Sequence, residues 1–309
     1  MLSVVADFFT LDDLAGWTAA LHDLSPPARM AVIGDPVAHS KSPQMHNPAL
    51  RACGIDAQYI RVQIPVGSVG RAFRLFADRG FIGINVTIPH KFEALDAVDV
   101  VEPLAKQLGA VNTVAIRDGR LHGFNSDGPG FLRAVREAFD VNVRDLRVLI
   151  LGAGGGAGRA VAVQCAIEKS KRLVLVNRTQ EKSESLAAEI QATGGTQNVS
   201  AVPWNPEALE RVLPEVDLIV NGTSLGMKSE DEPLLPAGSL LPRHRVFDMV
   251  YRAGGQLTSL GAAARAAGSS YADGSTLLLH QGAISFEYWF GRPAPIAEMR
   301  AGLHAALIP

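Results

Sequence analysis

Short apolar runs that end in polar, glycine-rich segments recur along the chain, and they predict buried strands that alternate with helices. The clearest case starts at Val148–Leu151, passes through the glycine-rich stretch Gly152–Gly158 and helix-forming sequence, and ends in a second apolar run, Leu173–Val176. Continuous apolar runs of this length are typical of parallel strands that are buried on both faces. The spacing predicts a strand–helix–strand unit.

The glycine-rich stretch fits G-x-G-x-x-(G/A) at Gly152, Gly154 and Ala157. Glycines at these positions allow a tight turn and let the backbone approach a pyrophosphate, which lies at the N-terminus of the next helix. The alternative is a glycine-rich turn that only packs tightly. Because strand, helix and second strand follow in the right order, we expect a dinucleotide site.

The residues after the second strand indicate which dinucleotide binds. NAD sites usually have Asp or Glu there for the ribose 2′-hydroxyl, but this chain has Asn177, Arg178, Thr179 and Lys182. Arginine forks onto phosphate oxygens and lysine adds a point charge, so both suit a 2′-phosphate. Thr179 can cap the next helix and donate to the phosphate as well. Solvated charges at a helix start are the alternative, and we expect NADP(H).

In the first half of the chain, polar side chains stand where predicted strands end. Strands are predicted at Met30–Gly34, Tyr59–Ile64 and Phe81–Ile88, with a hairpin over Ala110–Phe124. The polar residues at their exits are Ser40, Ser42, Asn85, Thr87, Lys91, Asn112, Asn125, Ser126 and Asp127. Any one of them alone is more often a turn or a cap, and Ser42 before Pro43 is expected to cap a helix. Several such exits together predict a lined cleft, because open α/β sheets bind ligands at the carboxyl ends of their strands.

Length and composition narrow the class of protein. A chain of 309 residues is long for one core, so two domains are expected. The net charge of −2, with no basic block and no apolar run as long as a membrane span, argues against nucleic acid and membranes as partners. Cys53 and Cys165 lack CxxC spacing, the histidines lack ligand spacing, and the N-terminus has no signal-peptide pattern. We therefore expect a cytoplasmic protein without a metal site.

The ends of the chain carry helical patterns. Within a leader of residues 1–28, the stretch Leu11–Leu24 predicts an appended helix. After further strand–loop units at Val216–Ser224 and Arg245–Tyr251, Ala272–Gly274 predicts a turn. Helices at Leu277–Phe290 and Ile296–Leu307 follow, and Gln281 on the first of them needs a partner if it is buried.

Taken in order, the polar and glycine-rich segments resemble the motifs of the shikimate dehydrogenase family over roughly residues 29–305. They are DPVAHSKSP at 35–43, NVTIPHK at 85–91, GAVNT at 109–113, NSDG at 125–128, GAGG at 152–155, NRT at 177–179, DMVY at 248–251, ADG at 272–274 and HQGA at 280–283. The resemblance implies an α/β fold with an N-terminal αβ substrate-binding domain (29–127 with about 276–309) and a C-terminal Rossmann NADP-binding domain (128–275). It also implies an interdomain cleft in which catalysis takes place.

The resemblance implies roles for individual residues in the NADPH-dependent, reversible reduction of 3-dehydroshikimate to shikimate, a step toward chorismate and the aromatic amino acids. Lys91 and Asp127 are the expected catalytic pair. The expected substrate-binding residues are Ser40, Ser42, Thr87, Asn112, Tyr251 and Gln281. The expected cofactor-binding residues are Gly152, Gly154, Gly155, Asn177, Arg178, Thr179, Lys182, Met249 and Gly274. A lysine beside an aspartate can bond the hydroxyl being oxidised and stabilise charge on its oxygen, and which of the two is the base stays open.

The sequence departs from the family pattern in the glycine loop, which is one residue longer than the GAGGA type, and at Ser126, where threonine is usual. A quinate or dual quinate/shikimate dehydrogenase is the nearest alternative. A non-catalytic ligand-sensing homologue is a remote one, because Lys91 and Asp127 are both present. The expected partner is a small-molecule substrate, bound by a monomer or a homodimer.

Overall fold

The computed structural model describes residues 8–196 and 198–307, and this part of the chain divides into two compact units. The first unit runs to Ser126 and resumes at Gln281–Ala306, and the second contains Asp127–His280. Residues 1–7 of the expected leader lie outside the described residues.

The strands, in chain order, are β1 (Phe9–Thr10), β2 (Ala28–Gly34), β3 (Gln58–Gln63), β4 (Gly83–Val86), β5 (Val100–Val101), β6 (Thr113–Arg117), β7 (Arg120–Phe124), β8 (Arg147–Leu151), β9 (Arg172–Val176), β10 (Val199–Ala201), β11 (Leu218–Asn221), β12 (Arg245–Asp248) and β13 (Ser270–Ala272). The helices are α1 (Leu11–Gly16), α2 (Ala19–His22), α3 (Ser42–Ala52), α4 (Val69–Asp78), α5 (Lys91–Ala97), α6 (Pro103–Leu108), α7 (Asp127–Phe139), α8 (Gly156–Ile167), α9 (Gln180–Ala192), α10 (Pro206–Val212), α11 (Ser259–Ala266), α12 (Gly274–Phe290) and α13 (Ile296–Leu307). Short 3₁₀ turns lie at Val143–Asp145, Leu213–Glu215 and Ala253–Gly255.

The first unit is built on a mixed sheet with the strand order β1-β3-β2-β4-β6-β7-β5. The strands β1, β3, β2 and β4 pair in parallel, β4 with β6 and β6 with β7 pair antiparallel, and β7 with β5 pairs in parallel. The β6–β7 hairpin turns at Asp118 and Gly119, whose φ angles are 51° and 73°. Two positive φ angles in succession are the mark of a type I′ turn, so the hairpin expected there is confirmed.

The second unit contains a parallel sheet with the order β10-β9-β8-β11-β12-β13. Numbered from β8, this is the 3-2-1-4-5-6 order of a doubly wound Rossmann sheet. Its central strands are fully buried, with Leu149, Val174 and Ile219 in one core cluster. The strand–helix–strand prediction over the glycine loop is confirmed, because β8, α8 and β9 follow each other and β8 pairs with β9.

The leader is not an appended helix, and that prediction is wrong. Phe9 and Thr10 form a strand that pairs with β3 at the edge of the first sheet, and two short helices replace the single helix over Leu11–Leu24. Leu14 and Leu21 belong to the core of the first unit. A capping box between Thr10 and Asp13 starts α1, and Trp17 ends it with a φ of 45°.

The segment Ala272–Gly274 is not the turn that the sequence predicted. Ala272 ends strand β13, and helix α12 starts directly at Gly274 instead of at Leu277. The Asp273 side chain accepts the backbone N–H of Ser275 at 3.0 Å, so it caps the first turn of the helix. The polar start of α12 therefore lies before the apolar run by which the sequence located the helix.

Candidate active site

The loop between β2 and α3 carries Ser40 and Ser42, whose hydroxyl groups lie 3.2 Å apart. The Ser40 Oγ also accepts the backbone N–H of Ser42 at 3.3 Å. The prediction that Ser42 caps α3 is wrong, because the helix begins at Ser42 itself and Ser40 accepts its first N–H group. Pro43 has no N–H, so the N–H of Ser42 is one of the few first-turn donors that need an acceptor at this end.

Arg61 on β3 holds this loop in place. Its Nε donates to the carbonyl oxygen of Ser40 at 2.8 Å, and its Nη2 donates to Oε1 of Gln44 at 2.8 Å. The planar guanidinium can make both bonds at once because its donors point in fixed directions. Arg61 therefore ties the serine loop to the first turn of α3.

A buried hydrogen-bond network, here called the Asn85 network, lies where β4, β6 and α12 meet in the first unit. Its members are Tyr59, Asn85, Asn112, Thr113, Ser126 and Ser285. The Asn85 Nδ2 donates to Oγ of Ser285 at 2.8 Å and to Oγ1 of Thr113 at 3.2 Å, and its Oδ1 accepts the Tyr59 hydroxyl at 2.8 Å. Burial raises the pKa of Tyr59, so this phenol keeps its proton and donates. The network supplies hydrogen-bond partners to the Asn85 side chain, which would be costly to bury on β4 without them.

The Asn85 network orients two of the expected substrate-binding residues. The Asn112 Oδ1 accepts the backbone N–H of Ser126 at 2.7 Å, and its Nδ2 donates to Oγ of Ser126 at 3.0 Å. Since a backbone N–H can only donate, the Asn112 amide has a single orientation, with its nitrogen as the donor group. The same Ser126 hydroxyl donates to Oε1 of Gln281 at 3.4 Å, which gives this half-buried glutamine a hydrogen-bond partner.

Thr87 and Lys91 follow β4 in the same unit, and both are half-buried. The N–H of Thr87 donates to the Ile33 carbonyl at 2.9 Å and extends the pairing of β4 with β2. The carbonyl of Lys91, the first residue of α5, accepts the N–H of Val111 at 3.0 Å. Because Val111 precedes Asn112, this bond ties the start of α5 to the segment with the oriented amide.

Asp127 is the first residue of α7, and only 6% of its surface is exposed. It follows Ser126 directly in the sequence, but it belongs to the second unit, whereas Lys91 belongs to the first. A carboxylate in the first turn of a helix is stabilised by the unpaired N–H groups and partial positive charge there.

In the second unit, the glycine loop Gly152–Gly158 joins β8 to α8. Gly152 has a φ of +83°, which favours glycine. A Cβ on Gly158 would lie 2.9 Å from the carbonyl carbon of Gly152, and one on Gly222 would lie 2.8 Å from the Cα of Gly158. Gly158, and not Ala157, therefore occupies the third fingerprint position, at which the helix packs closely on the sheet. The extra residue of the loop explains why the sequence spacing pointed to Ala157.

Asn177 links the glycine loop to the start of α9. Its Oδ1 accepts the N–H of Gly154 at 3.1 Å, and its Nδ2 donates to the carbonyl of Thr179 at 2.9 Å. An aspartate could not make the second bond, because a carboxylate has no donor. Thr179 occupies the N-cap position of α9, but its side chain does not form the expected capping bond. Its side chain is exposed, as are those of Arg178 and Lys182.

A cavity of about 320 Å³ lies beside the glycine loop, between α8 and α9. Gly154, Arg159, Glu181 and Lys182 are among the residues that line it. A Cβ on Gly154 would come within 2.8 Å of the Lys182 Cβ, so the loop and α9 lie in close contact. The charge of this lining is mixed, and Arg159 is already paired with Glu189 at 2.6 Å.

The loop after β12 brings Met249, Tyr251 and Gly274 together in the second unit. Its anchor is the buried Asp248, which accepts from the Asn221 side chain at 2.8 Å, the Thr258 hydroxyl at 2.5 Å and the Val250 N–H at 3.0 Å. Burial raises the pKa of Asp248, while these hydrogen bonds oppose the rise. Gly274 donates its N–H to the Val250 carbonyl at 3.1 Å, and a Cβ there would lie 2.6 Å from the Met249 carbonyl carbon.

Sequence reasoning assigned no site role to Arg61, Thr113, Ser285 and Asp248. Thr113 and Asp248 stand inside segments that carried the family resemblance, and Ser285 is a single polar residue in an apolar stretch of α12. A polar residue in an apolar stretch was the available signal, but the sequence does not show which partners it meets.

The part of the chain that the structure describes contains neither a cluster of metal ligands nor a membrane-spanning helix. Across residues 8–196 and 198–307, no three or more His, Cys, Asp or Glu side chains are grouped so that they could hold a metal ion. Over the same residues, no helix has the length and apolar character needed to cross a membrane. Both cysteines are free thiols, and burial raises the pKa of Cys165.

Three family models match consecutive parts of the chain. The model described as shikimate dehydrogenase substrate binding domain matches residues 32–114, the one described as shikimate / quinate 5-dehydrogenase matches 133–229, and the one described as shikimate 5'-dehydrogenase C-terminal domain matches 274–303. The first model covers Ser40, Ser42, Thr87, Lys91 and Asn112, and the third covers Gln281.

Proteins with named activities are similar over almost the whole chain. Shikimate dehydrogenase (NADP(+)) of Symbiobacterium thermophilum is 41% identical over 285 residues, which cover 91% of this chain and 95% of the relative. The crystal structure of shikimate 5-dehydrogenase from Thermus thermophilus in complex with NADP(H) and shikimate is 36% identical, with a TM-score of 0.80 over 91% of this chain and 100% of that one. Quinate dehydrogenase from Corynebacterium glutamicum in complex with NAD is 29% identical, with a TM-score of 0.79 over 89% and 98%.

Proposed function

The chain belongs to the shikimate dehydrogenase family, and on this premise we propose that it catalyses the reversible NADP(H)-dependent reduction of 3-dehydroshikimate to shikimate. The observation that carries the proposal is the Asn85 network, which orients Asn112 and Gln281 among buried polar partners in the unit matched by the substrate-binding model. A buried network of this kind is costly unless every member is satisfied, and it fixes donors in one direction. Such fixed donors suit a small polyhydroxylated substrate.

On the substrate side, the paired hydroxyls of Ser40 and Ser42 donate to the carboxylate of shikimate. The Asn112 amide nitrogen donates to a ring hydroxyl, because its oxygen is engaged by the Ser126 N–H. Thr87 and Gln281 bind the remaining hydroxyls or the carboxylate, and Tyr251 contributes from the second unit. All of these groups are neutral, so they select for the pattern of donors and acceptors on the ring.

Lys91 and Asp127 act as the catalytic pair. Oxidation of a secondary alcohol by hydride transfer leaves a hydroxyl proton to be removed, and the two side chains hydrogen-bond that oxygen and stabilise its developing charge. The bound NADP+ supplies the hydride acceptor. In the reverse direction the same pair returns a proton to the ketone oxygen.

The residues of the second unit fit NADP. A Cβ on Gly155 would meet only the Gly152 carbonyl oxygen, at 3.6 Å, so the protein itself does not need a glycine there and the space suits a phosphate. At the end of β9, a neutral Asn177 stands where an NAD site has a carboxylate, and Arg178 and Lys182 are exposed beside it. These residues hold the 2′-phosphate, and Gly152, Gly154 and Gly155 hold the pyrophosphate. The loop after β12 holds the nicotinamide, through Met249, the half-buried Tyr251 and the adjoining Gly274.

We expect the enzyme to act in the cytoplasm, as a monomer or a homodimer, without nucleic acid or a membrane as partner. Light scattering of the purified protein, with and without NADP+, distinguishes the two assembly states.

The catalytic assignment is tested with Lys91→Met and Asp127→Asn, each compared with an exposed residue of the same type, Lys106→Met and Asp140→Asn. We expect kcat for shikimate to fall by about 10²-fold or more in the first two, as the loss of a general acid–base group does, and to stay unchanged in the controls. Quenching of nicotinamide fluorescence shows whether each variant still binds the cofactor, and circular dichroism shows whether it is folded. Near-normal turnover in a folded Lys91→Met protein would contradict the assignment.

A further inference from the structure

Ser285 is fully buried on α12, and its hydroxyl meets polar groups from separate segments of the first unit. The Oγ lies 2.8 Å from the Asn85 Nδ2, 2.8 Å from the Thr113 Oγ1 and 3.2 Å from the Ser126 Oγ. It also donates to the Gln281 carbonyl, one helical turn earlier, at 3.0 Å. One hydroxyl therefore joins strands β4 and β6, the segment after β7, and α12.

Each of these segments carries a residue of the proposed substrate site. Thr113 directly follows Asn112, and Ser126 holds the Asn112 amide through both its N–H and its Oγ. The carbonyl that Ser285 binds is that of Gln281 itself. Asn85 precedes Thr87 by two residues on the same extended segment. The Ser285 hydroxyl thus lies between groups that must keep fixed mutual positions to bind the ring of one substrate molecule.

A purely structural role explains only part of this arrangement. Serine in a helix often bonds to the carbonyl four residues earlier, and that accounts for the Gln281 contact alone. An alanine would fill almost the same space without a polar group to desolvate, but it would leave the Asn85 amide and the Thr113 hydroxyl free to choose other partners. A buried polar group that meets several partners is expected to fix orientation more than it adds stability.

We propose that Ser285 is a positioning residue of the substrate site, which sets the orientation of Asn112 and Gln281 without itself contacting the substrate. The inference rests on the proposed function, because the site residues it positions are those of shikimate oxidation. Its consequence is that the loss of the Ser285 hydroxyl impairs the handling of shikimate while leaving the binding of NADP unchanged, since the cofactor residues lie in the other unit.

The test is Ser285→Ala against Thr196→Val, which removes a buried hydroxyl bonded to the Ser170 carbonyl at 2.6 Å in the second unit. We expect kcat/KM for shikimate to fall about tenfold or more in Ser285→Ala, because small displacements of positioning groups are costly to turnover. The KM for NADP+ stays within about twofold. Thr196→Val lowers the melting temperature but leaves both kinetic constants at the wild-type values.

A double substitution keeps the test specific. Thr113→Val removes the neighbouring hydroxyl of the network. The fold-loss in kcat/KM of the double variant Thr113→Val/Ser285→Ala should be far less than the product of the two single-variant losses, because both side chains act through one cluster. If Ser285→Ala does not fold, Ser285→Cys retains the size of the side chain with a much weaker hydrogen-bonding group, and the same loss in kcat/KM is expected to a smaller extent.

The outcomes separate this inference from the proposed function. A folded Ser285→Ala protein (or Ser285→Cys, where the alanine variant fails) with wild-type kcat/KM for shikimate would overturn the inference while the wild type still oxidised shikimate. Equal losses for shikimate and for NADP+ binding would overturn it too, since they mark a general loss of structure. A wild-type protein inactive on shikimate would refute the proposed function, and the inference with it.

Discussion

Gly155 and Gly158 lie three residues apart in the glycine loop, and an added methyl group meets different surroundings at the two positions. At Gly155, which has an ordinary φ of −89°, a Cβ would contact only the Gly152 carbonyl oxygen at 3.6 Å. At Gly158, it would lie 2.9 Å from the Gly152 carbonyl carbon, in a space already closed by the backbone. Gly155→Ala therefore tests the cofactor site, and Gly158→Ala tests the packing of α8 on the sheet.

The two substitutions are expected to separate stability from cofactor affinity. Overpacking a closed space usually costs about 1–3 kcal/mol, and at Gly158 the obstructing atoms are backbone, so we expect the upper part of that range. At Gly155, which is the N-cap of α8, alanine is less suitable than glycine, and we expect a loss of at most about 1 kcal/mol. If the pyrophosphate lies against Gly155, the methyl group occupies its space, and we expect the KM for NADP+ to rise about tenfold or more.

Urea unfolding of each variant without cofactor gives the free energy of unfolding, and initial rates at varied NADP+ give the KM. Gly155→Ala with an unchanged KM would refute the placement of the phosphate. Gly158→Ala with wild-type stability would refute the assignment of Gly158 to the third fingerprint position.

Three further substitutions test other parts of the structure. Burial lowers the pKa of His46 to about 3, so the folded state holds the imidazole neutral. The stability that this group contributes is therefore complete above pH ~6.5. It is lost as the pH falls below that value, by about 1.4 kcal/mol per pH unit. His46→Phe keeps the ring stacked on Tyr59, and urea unfolding between pH ~6.5 and ~4.5 should show a weaker pH dependence than the wild type; an identical dependence would contradict the assignment. Leu14→Ala should lower the free energy of unfolding by about 2–5 kcal/mol, because Leu14 is fully buried in the core, whereas a change below ~1 kcal/mol would mean that the leader is dispensable. Arg178→Gln should raise the KM for NADP+ about tenfold and leave the KM for NAD+ unchanged, and equal effects on both would exclude a contact with the 2′-phosphate.

Local patterns were sufficient for the parts of the fold whose signals lie close together in the chain. The strands beside the glycine loop are continuous apolar runs, and the hairpin is marked by the pair Asp118-Gly119. In both cases the physical cause lies within a few residues, either burial on both faces or a turn that requires positive φ. The order of the Rossmann strands comes from the structure, because the sequence predicted only the strand–helix–strand unit and further strand–loop units after it.

Features that depend on distant partners were not predictable in this way. The leader joins the core because Phe9 and Thr10 add a strand beside β3, about fifty residues further along the chain, and no local pattern names that neighbour. Ser285 and Asn85 are 200 residues apart, and only the folded chain shows that one hydroxyl serves both. The cap of α3 was misassigned for a smaller reason, since Lys41 holds the N-cap position without a side-chain bond, and Ser40 accepts the Ser42 N–H from the residue before it.

The candidate residues themselves were named mainly through the family resemblance. Polarity at strand ends singled out Asn112 and Lys91 as unusual, but it did not give the direction in which the Asn112 amide points. That direction comes from the bond between its oxygen and the Ser126 N–H, which is a three-dimensional fact.

The most direct test of the account compares initial rates of the wild-type protein on shikimate and on quinate, each with NADP+ and with NAD+. The proposed site, with the hydroxyl donors of Ser40, Ser42 and Thr87 and with Arg178 and Lys182 beyond β9, predicts the highest kcat/KM for shikimate with NADP+. A higher kcat/KM for quinate with NAD+ would contradict both the substrate and the cofactor assignment.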